Sequence, residues 1–405
     1  MPILKGMATG SKFLSSPALR HNPFEFGGEL KASSLIDREQ ELDLVIRTIE
    51  NGGKLFLIGP RRYGKTSILA AAEDKLSDSN VAVLRFDAEV YDSPGHLAEA
   101  LLAEAAKKLH STLEKAGEAI SRFASKLKPQ VDYDLAEQTL SITLGAPGRA
   151  VTKAVPLLTE VLNIVDKMAA RANRRAAVII DEFQQIIEEG GATAERQIRG
   201  TVQRHHNTAY VFAGSKTRLL ADMTNDPSRA FWKLGSRLFL GPIPREVWRE
   251  FLTRGLTRSS FKVQPVALEH LLDVAEDVPF NIQQLANTCW EQLRASGGGT
   301  LTPARVDDAL VRLVTRENSS YTQIWNSLAR QQKIALKAVI DEGGIDLRSA
   351  EVLARYGIAA STMHKMLKAL DSRGLVREEE TIGSIRYRLE DPFFARWLRL
   401  VQSGV

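Results

Sequence analysis

Five short apolar runs rich in β-branched residues mark the first part of the chain: KLFLIG (54–59), VAVLRFDA (81–88), AAVIIDE (176–182), AYVFAGS (209–215) and RLFLGPI (237–243). Near-continuous apolar runs of that length suit strands buried on both faces. Segments of helical periodicity separate them, so the pattern predicts an α/β domain with a parallel five-stranded sheet covered by helices. The gap between the second and third runs, about 89–175, is long. It carries a long helix or a pair from Pro94, a short β excursion in DYDLAEQTLSITLGAPG, and an amphipathic helix in AVPLLTEVLNIVDKMAARAN.

After Pro244 the strand signal stops. Four helical patterns follow through residue 315, with the Gly-rich SGGGT (296–300) before the last and Thr302-Pro303 as a helix start. This predicts a small all-α unit. From about 318 the pattern changes again. A helix ending at Gly343-Gly344, a short helix in RSAEVLARYGI and a longer one in AASTMHKMLKALDSRG precede two strands around Gly383. Three helices and a β-hairpin are the winged-helix arrangement. An amphipathic helix, PFFARWLRLV, closes the chain. The expected organisation is a flexible arm over 1–21, a core over 22–244, a helical unit over 245–317 and a winged helix over 318–405.

Composition changes this picture little. The 405 residues are 44% hydrophobic and 25% charged, which suits two or three globular domains. The formal net charge of +5 permits contact with nucleic acid without requiring it. The single cysteine, Cys289, excludes an intramolecular disulfide and reads as a buried core thiol. No apolar stretch reaches the roughly 20 residues that span a bilayer, and the N-terminal segment does not read as a secretory signal. The expectation is a cytoplasmic protein with no membrane partner.

The chemistry is concentrated at the ends of the apolar runs. Gly59-Pro60-Arg61-Arg62-Tyr63-Gly64-Lys65-Thr66 fits G-x-x-x-x-G-K-[ST], with a strand before it and the helix TSILAAAEDKL, opening on Thr66 and Ser67, after it. Such a loop wraps phosphates with backbone N–H groups at a helix N-terminus. Lys65 would reach the β- and γ-phosphates of ATP or ADP, and Thr66 would ligate Mg²⁺. Arg61 and Arg62 are open between phosphate, a neighbouring molecule and solvent. Asp181 ends the third run and would hold Mg²⁺, and Glu182 directly after it would polarise the attacking water. The acid pair favours hydrolysis. Ser215 ends the fourth run, beside Asp181 if the runs lie in the order 5-1-4-3-2, where it would bind the attacking water or the γ-phosphate. Arg237 stands at the start of the last run, with Arg229 as its competitor for a charge-stabilising role.

Together, NPFEFG, SLIDREQELDLV, LFLIGPRRYGKTSIL, VIIDEFQQI, FAGS and YRLEDPFFARWL resemble the archaeal-type ATPases. These lie near the signal-transduction ATPases with numerous domains and the origin-recognition branch of AAA+ proteins. The resemblance spans roughly residues 22–400. It implies an AAA+ P-loop core, a helical lid and a winged helix. It also implies that Ile36–Glu39 lies near the adenine with Arg38 in contact, that Ser215 occupies the sensor-1 position, and that Arg237 acts as a finger on a neighbouring subunit. The family's Gly-x-Pro at the start of a lid helix is here Asp277-Val278-Pro279, and no sensor-2 arginine follows in FNIQQLANTCW. Slow turnover or tightly held ADP would be a natural consequence.

In the winged helix, Met363, Met366, Leu367 and Leu370 recur at core spacing. Ser361, Thr362, Lys365 and Lys368 fall on the opposite face, suited to phosphates and base edges of double-stranded DNA, with Arg386 and Arg388 on the wing for backbone contact. A protein partner is the other reading of this module. The expectation is an Mg²⁺-dependent ATPase that couples nucleotide state to conformation or homo-oligomer assembly. The alternative is a nucleotide-gated DNA-binding, scaffold or signalling protein with negligible turnover.

Overall fold

A computed structural model describes residues 21–110, 112–134, 139–144, 154–381 and 384–402. The N-terminal arm, apart from its last residue, and the hairpin tip at Gly383 lie outside these residues. The chain divides into two units, Gly28–Gly241 and Pro242–Val405, the latter joined by the segment up to Gly27.

The first unit runs α1 (Glu39–Glu50), β1 (Lys54–Ile58), α2 (Lys65–Leu76), β2 (Val81–Asp87), α3 (Pro94–Leu109), α4 (Leu113–Phe123), β3 (Pro129–Asp134), β4 (Thr139–Leu144), α5 (Ala154–Ala172), β5 (Arg175–Asp181), α6 (Gln184–Val202), β6 (Thr208–Gly214), α7 (Thr217–Asn225) and β7 (Ser236–Phe239). Five strands form one parallel sheet in the order β2-β5-β6-β1-β7, which is the expected order read from its other edge. Both faces are buried. Phe56, Ile58, Leu84, Val178, Ile180 and Phe212 point to the side covered by α3, α5 and α6. Their alternates Leu55, Leu57, Val83, Ala177, Ile179 and Val211 point to α1 and α2. This two-sided burial is why the runs do not alternate. The long gap resolves into the helix pair α3 and α4 and the antiparallel hairpin β3–β4.

The fifth run departs from the expectation of a buried strand. Only Ser236–Phe239 pair, and Ser236, Arg237 and Phe239 are exposed. β7 sits at the sheet edge with β1 as its one neighbour, and Gly241-Pro242 follows, where proline has no N–H to continue a ladder.

The second unit runs α8 (Arg245–Arg258), β8 (Lys262–Val263), α9 (Pro265–Val274), α10 (Pro279–Ala295), β9 (Thr300–Leu301), α11 (Pro303–Arg316), α12 (Asn318–Ser327), α13 (Arg330–Asp341), α14 (Ala350–Tyr356), α15 (Ala360–Ser372), β10 (Val376–Thr381), β11 (Ser384–Leu389) and α16 (Pro392–Gln402). The Thr302-Pro303 start holds, with Thr302 Oγ1 accepting the Arg305 N–H. The unit is not all-α, because β8 pairs with β9 in parallel and ties together the ends of the helical segment they bracket. Cys289 is fully buried, and that burial pushes its thiol up to about 12. No described helix is long and apolar enough to cross a membrane.

The segment that enters the described chain at residue 21 is pinned to this unit. Phe24 is 1% exposed. Its ring meets Phe251 edge-on at 5.8 Å, and its carbonyl accepts from Asn287 Nδ2 at 2.7 Å. A side chain at Gly255 would collide with that ring. Phe24→Ala is therefore expected to lower stability by about 3 kcal/mol, read as a fall in the thermal or urea midpoint. A loss below about 1 kcal/mol would mean that the ring anchors nothing.

Candidate nucleotide site

The loop between β1 and α2 uses its two glycines for different reasons. At Gly59 a Cβ would stand 2.9 Å from the Leu240 Cβ, closer than carbon packing allows, so the end of β1 can approach the chain leaving β7 only without a side chain. Gly64 has open space around it but a φ of 91°, in the left-handed region, and forms the N-cap of α2. The helix thus begins at Lys65 with its N-terminal N–H groups directed at the loop. Lys65 is 5% exposed, and its ammonium donates to the Gly59 and Pro60 carbonyls at 2.9 and 3.1 Å. Its charge is held inside the turn.

Thr66 Oγ1 donates to Asp181 Oδ2 at 2.7 Å, across 115 residues of sequence. Asp181 is 3% exposed, and its carboxyl is raised above the usual range by burial, against the pull of the Thr66 hydrogen bond and the Lys65 charge. A buried carboxylate beside a hydroxyl is a donor set for a hard divalent cation. Among the described residues no group of three or more His, Cys, Asp and Glu could hold a metal. One carboxylate and one hydroxyl are a set that Mg²⁺, which keeps several waters and shares substrate phosphates, would fit.

Glu182 follows with a φ of 48°, an uncommon conformation for a residue with a side chain. It is held there from both sides. Its N–H donates to Asp181 Oδ1 at 3.0 Å. Phe183, fully buried, donates its N–H to the Ala213 carbonyl at 2.9 Å and packs its ring 4.4 Å from Phe212. Glu182 Oε2 accepts from Ser215 Oγ at 2.8 Å and from Gln184 Nε2. Ser215 is therefore bonded to the glutamate itself.

The remaining residues of the loop serve its surroundings. Arg61 lies 3.3 Å from Glu89, both well exposed. Arg62 takes a left-handed φ of 68°, and Tyr63 is buried. Ser67 Oγ accepts the Leu30 N–H at 3.3 Å and so holds the segment leading to α1. Arg38 is buried and donates to Glu41 at 2.8 Å and to the Gly241 carbonyl at 2.6 Å. Arg229 is committed to the buried Glu195, its Nε at 3.0 Å, whereas Arg237 is exposed on the edge strand. Of the two candidate fingers, Arg229 is half-buried and held by a carboxylate, and Arg237 is the more exposed.

In the second unit, Pro279 is the first residue of α10 and Val278 its N-cap. Asp277, which stands where the resemblance expects glycine, adopts a φ of 56°. Asp is one of the few side chains that enter this region, and Arg245 grips it in two places, at 2.7 and 2.9 Å. The left-handed turn is thus kept without the glycine. On α15, Met363, Leu367 and Leu370 are buried and Met366 is half-buried. Ser361, Lys365 and Lys368 are exposed, with Thr362 half-buried. The wing arginines are otherwise engaged. Arg388 pairs with Glu276 at 3.3 Å and Glu379 at 2.9 Å, and Arg386 donates to the Gly343 carbonyl at 3.0 Å.

A family model described as a probable winged helix domain matches residues 319–400. A search of curated proteins finds no match. Among solved structures, a Walker-type ATPase of Pyrococcus abyssi is similar, with a TM-score of 0.60 and 20% identity over 93% of this chain and 99% of that one. The ORC2 protein of Aeropyrum pernix, in ADPNP–ADP complexes, is similar at a TM-score of 0.53 and 16% identity over 95% and 96%. At these identities the likeness is one of fold. The chain has a five-stranded parallel P-loop core and a C-terminal winged helix.

Arg245 and Asp277 are each about a third exposed, so solvent screening keeps their pairing modest. Arg245→Ala is expected to cost about 1 kcal/mol in the wild-type background. In the Asp277→Gly background the loss should be clearly smaller, because glycine takes the turn unaided. Equal losses of melting temperature in both backgrounds would break this link.

Proposed function

We propose that the protein is an Mg²⁺-dependent ATPase that converts ATP to ADP and phosphate and transmits its nucleotide state through the winged helix. The observation that carries this reading is the 2.7 Å contact of Thr66 with Asp181, with Glu182 beside it on a strained backbone. The ADPNP–ADP complexes of the similarly folded ORC2 protein support an adenine nucleotide as the ligand.

In this reading the N–H groups of Gly59–Thr66 wrap the phosphates and Lys65 bonds the β/γ bridge. Thr66 and Asp181 hold Mg²⁺, which when bound offsets charge on the phosphate oxygens. Glu182 orients a water in line with the γ-phosphorus and accepts its proton. Ser215 keeps the Glu182 carboxylate in place. Arg38 sets the wall near the adenine through Glu41 and Gly241. Arg61, Arg62, Tyr63 and Ser67 shape the loop. Arg237, exposed at the sheet edge, acts on the γ-phosphate of a neighbouring copy in a homo-oligomer. Pro279 begins the lid helix that responds to nucleotide. The DNA contact is assigned to Ser361, Thr362, Lys365 and Lys368. Arg386 and Arg388 are left out of it, because their groups already serve Gly343, Glu276 and Glu379.

Glu182→Gln is expected to retain ATP binding and to lose hydrolysis by at least about a hundredfold. Phosphate release and nucleotide binding measured side by side check it. Wild-type turnover no higher than the variant's, with duplex DNA present, would replace the enzyme by a nucleotide-gated switch.

Lys365→Glu combined with Lys368→Glu should weaken duplex DNA binding and reduce the slope of affinity against salt by about two. An unchanged affinity and slope in fluorescence anisotropy would move the partner from DNA to protein.

A further inference from the structure

We infer that Gln184 is a positioning residue for the Glu182 carboxylate, an inference that rests on the ATPase reading above. Gln184 begins α6 and is fully buried. Its amide nitrogen serves two acceptors, Glu182 Oε2 and Ser215 Oγ, the latter at 3.3 Å. Ser215 Oγ in turn donates to the same Glu182 oxygen at 2.8 Å. The three side chains close a ring in which each donor has its acceptor. Both donors converge on Oε2, so Glu182 Oε1 is the oxygen left to meet a water.

The orientation of the amide follows from the same contacts. Reversed, its oxygen would face a carboxylate oxygen, acceptor against acceptor. As oriented, Gln184 Oε1 is buried with no hydrogen-bond partner among the described residues. Burying a carbonyl with no donor costs free energy and returns none. The fold nevertheless makes room for it. A side chain at Gly214 would collide with Gln184 Oε1, so the glycine that ends β6 clears space for the amide. Phe183, between the two residues, is locked in the aromatic core by Phe212 and Phe231. Glu182 and Gln184 therefore emerge from one anchored turn at fixed separation. An ordinary core position would favour leucine here. An amide that leaves its oxygen unpaired is accounted for by what its nitrogen holds. Without that donor, Ser215 alone holds the Glu182 carboxylate, and misplacement of a catalytic group by about 1 Å costs on the order of a hundredfold in rate.

The test is steady-state ATP hydrolysis by the full chain, with nucleotide affinity and melting temperature measured on the same samples. Gln184→Leu removes the donor at similar volume. It is expected to lower kcat about ten- to hundredfold while ATP affinity stays within about twofold and the melting temperature does not fall. Gln184→Met is read in its place if the leucine variant does not fold. Gln184→Glu sets two carboxylates together at neutral pH. Protonation restores a donor, so its activity relative to wild type should rise as pH falls from about 8 to about 6. Wild-type kcat in the leucine variant overturns the inference. So does a joint fall of kcat, affinity and melting temperature, or a flat activity ratio across pH for the glutamate variant. Wild-type turnover no faster than Glu182→Gln would instead defeat the ATPase reading, and this inference with it. That outcome is read without any Gln184 variant.

Discussion

The interposition of β6 between β1 and β5 is the constraint on which the site depends. Parallel strands deliver their C-terminal ends to one edge. With β6 between them, the loop after β1 and the turn after β5 stand two strands apart. That spacing lets Thr66 meet Asp181 at 2.7 Å, with the end of β6 beneath the Glu182 turn. Adjacent β1 and β5 would leave no place for Gly214 and Ser215 beside Glu182. The sheet can hold this geometry because apolar side chains lock it from both faces, and Phe56, Phe183, Phe212 and Phe231 pack ring against ring on one of them.

Two acidic residues adopt left-handed backbone at functionally suggestive places, and the same physics sustains both. Glu182 and Asp277 would each relax if their surroundings were loose. Each is held by its carboxylate: Glu182 by Ser215 and Gln184, Asp277 by Arg245. Glycine would take either conformation without help but would bring no charge. At Asp277 the charge secures a helix start that glycine would provide for free. At Glu182 the left-handed turn fixes where the carboxylate leaves the backbone, and Ser215 and Gln184 fix where it ends.

What the sequence made legible followed from local pattern. The G-x-x-x-x-G-K-[ST] loop needs only its own residues and the strand and helix beside it. The five apolar runs need only two-sided burial, and the α15 face needs only helical spacing. What was illegible depends on distant neighbours. Gln184 reads as an ordinary amide in DEFQQI until Gly214 and Ser215, some thirty positions on, are placed against it. α12 has no clear sequence signal, because NSSYTQIWNS is polar and buries only Tyr321. The exposure of β7 comes from its place at the sheet edge, which the composition of RLFLGPI does not encode.

The wing carries the same lesson about charge. Counted along the chain, Arg386 and Arg388 on a predicted hairpin look like phosphate contacts. Their nearest sequence neighbours, Glu378 to Glu380, supply one partner, Glu379, but Glu276 and Gly343 come from elsewhere in the same unit. A guanidinium that already has two carboxylates must surrender them before it can neutralise a phosphate, so its contribution to DNA affinity is reduced by the pairing it loses. Lys365 and Lys368 have no such cost. They are exposed on a helix whose other face is fixed by Met363, Leu367 and Leu370. In the proposed DNA contact, α15 would present its lysines without breaking an ion pair, whereas the wing would have to release Glu276, the residue beside the Asp277 turn that starts α10. Arg388 and the turn that starts α10 are thus tied together within one unit by the Glu276 carboxylate.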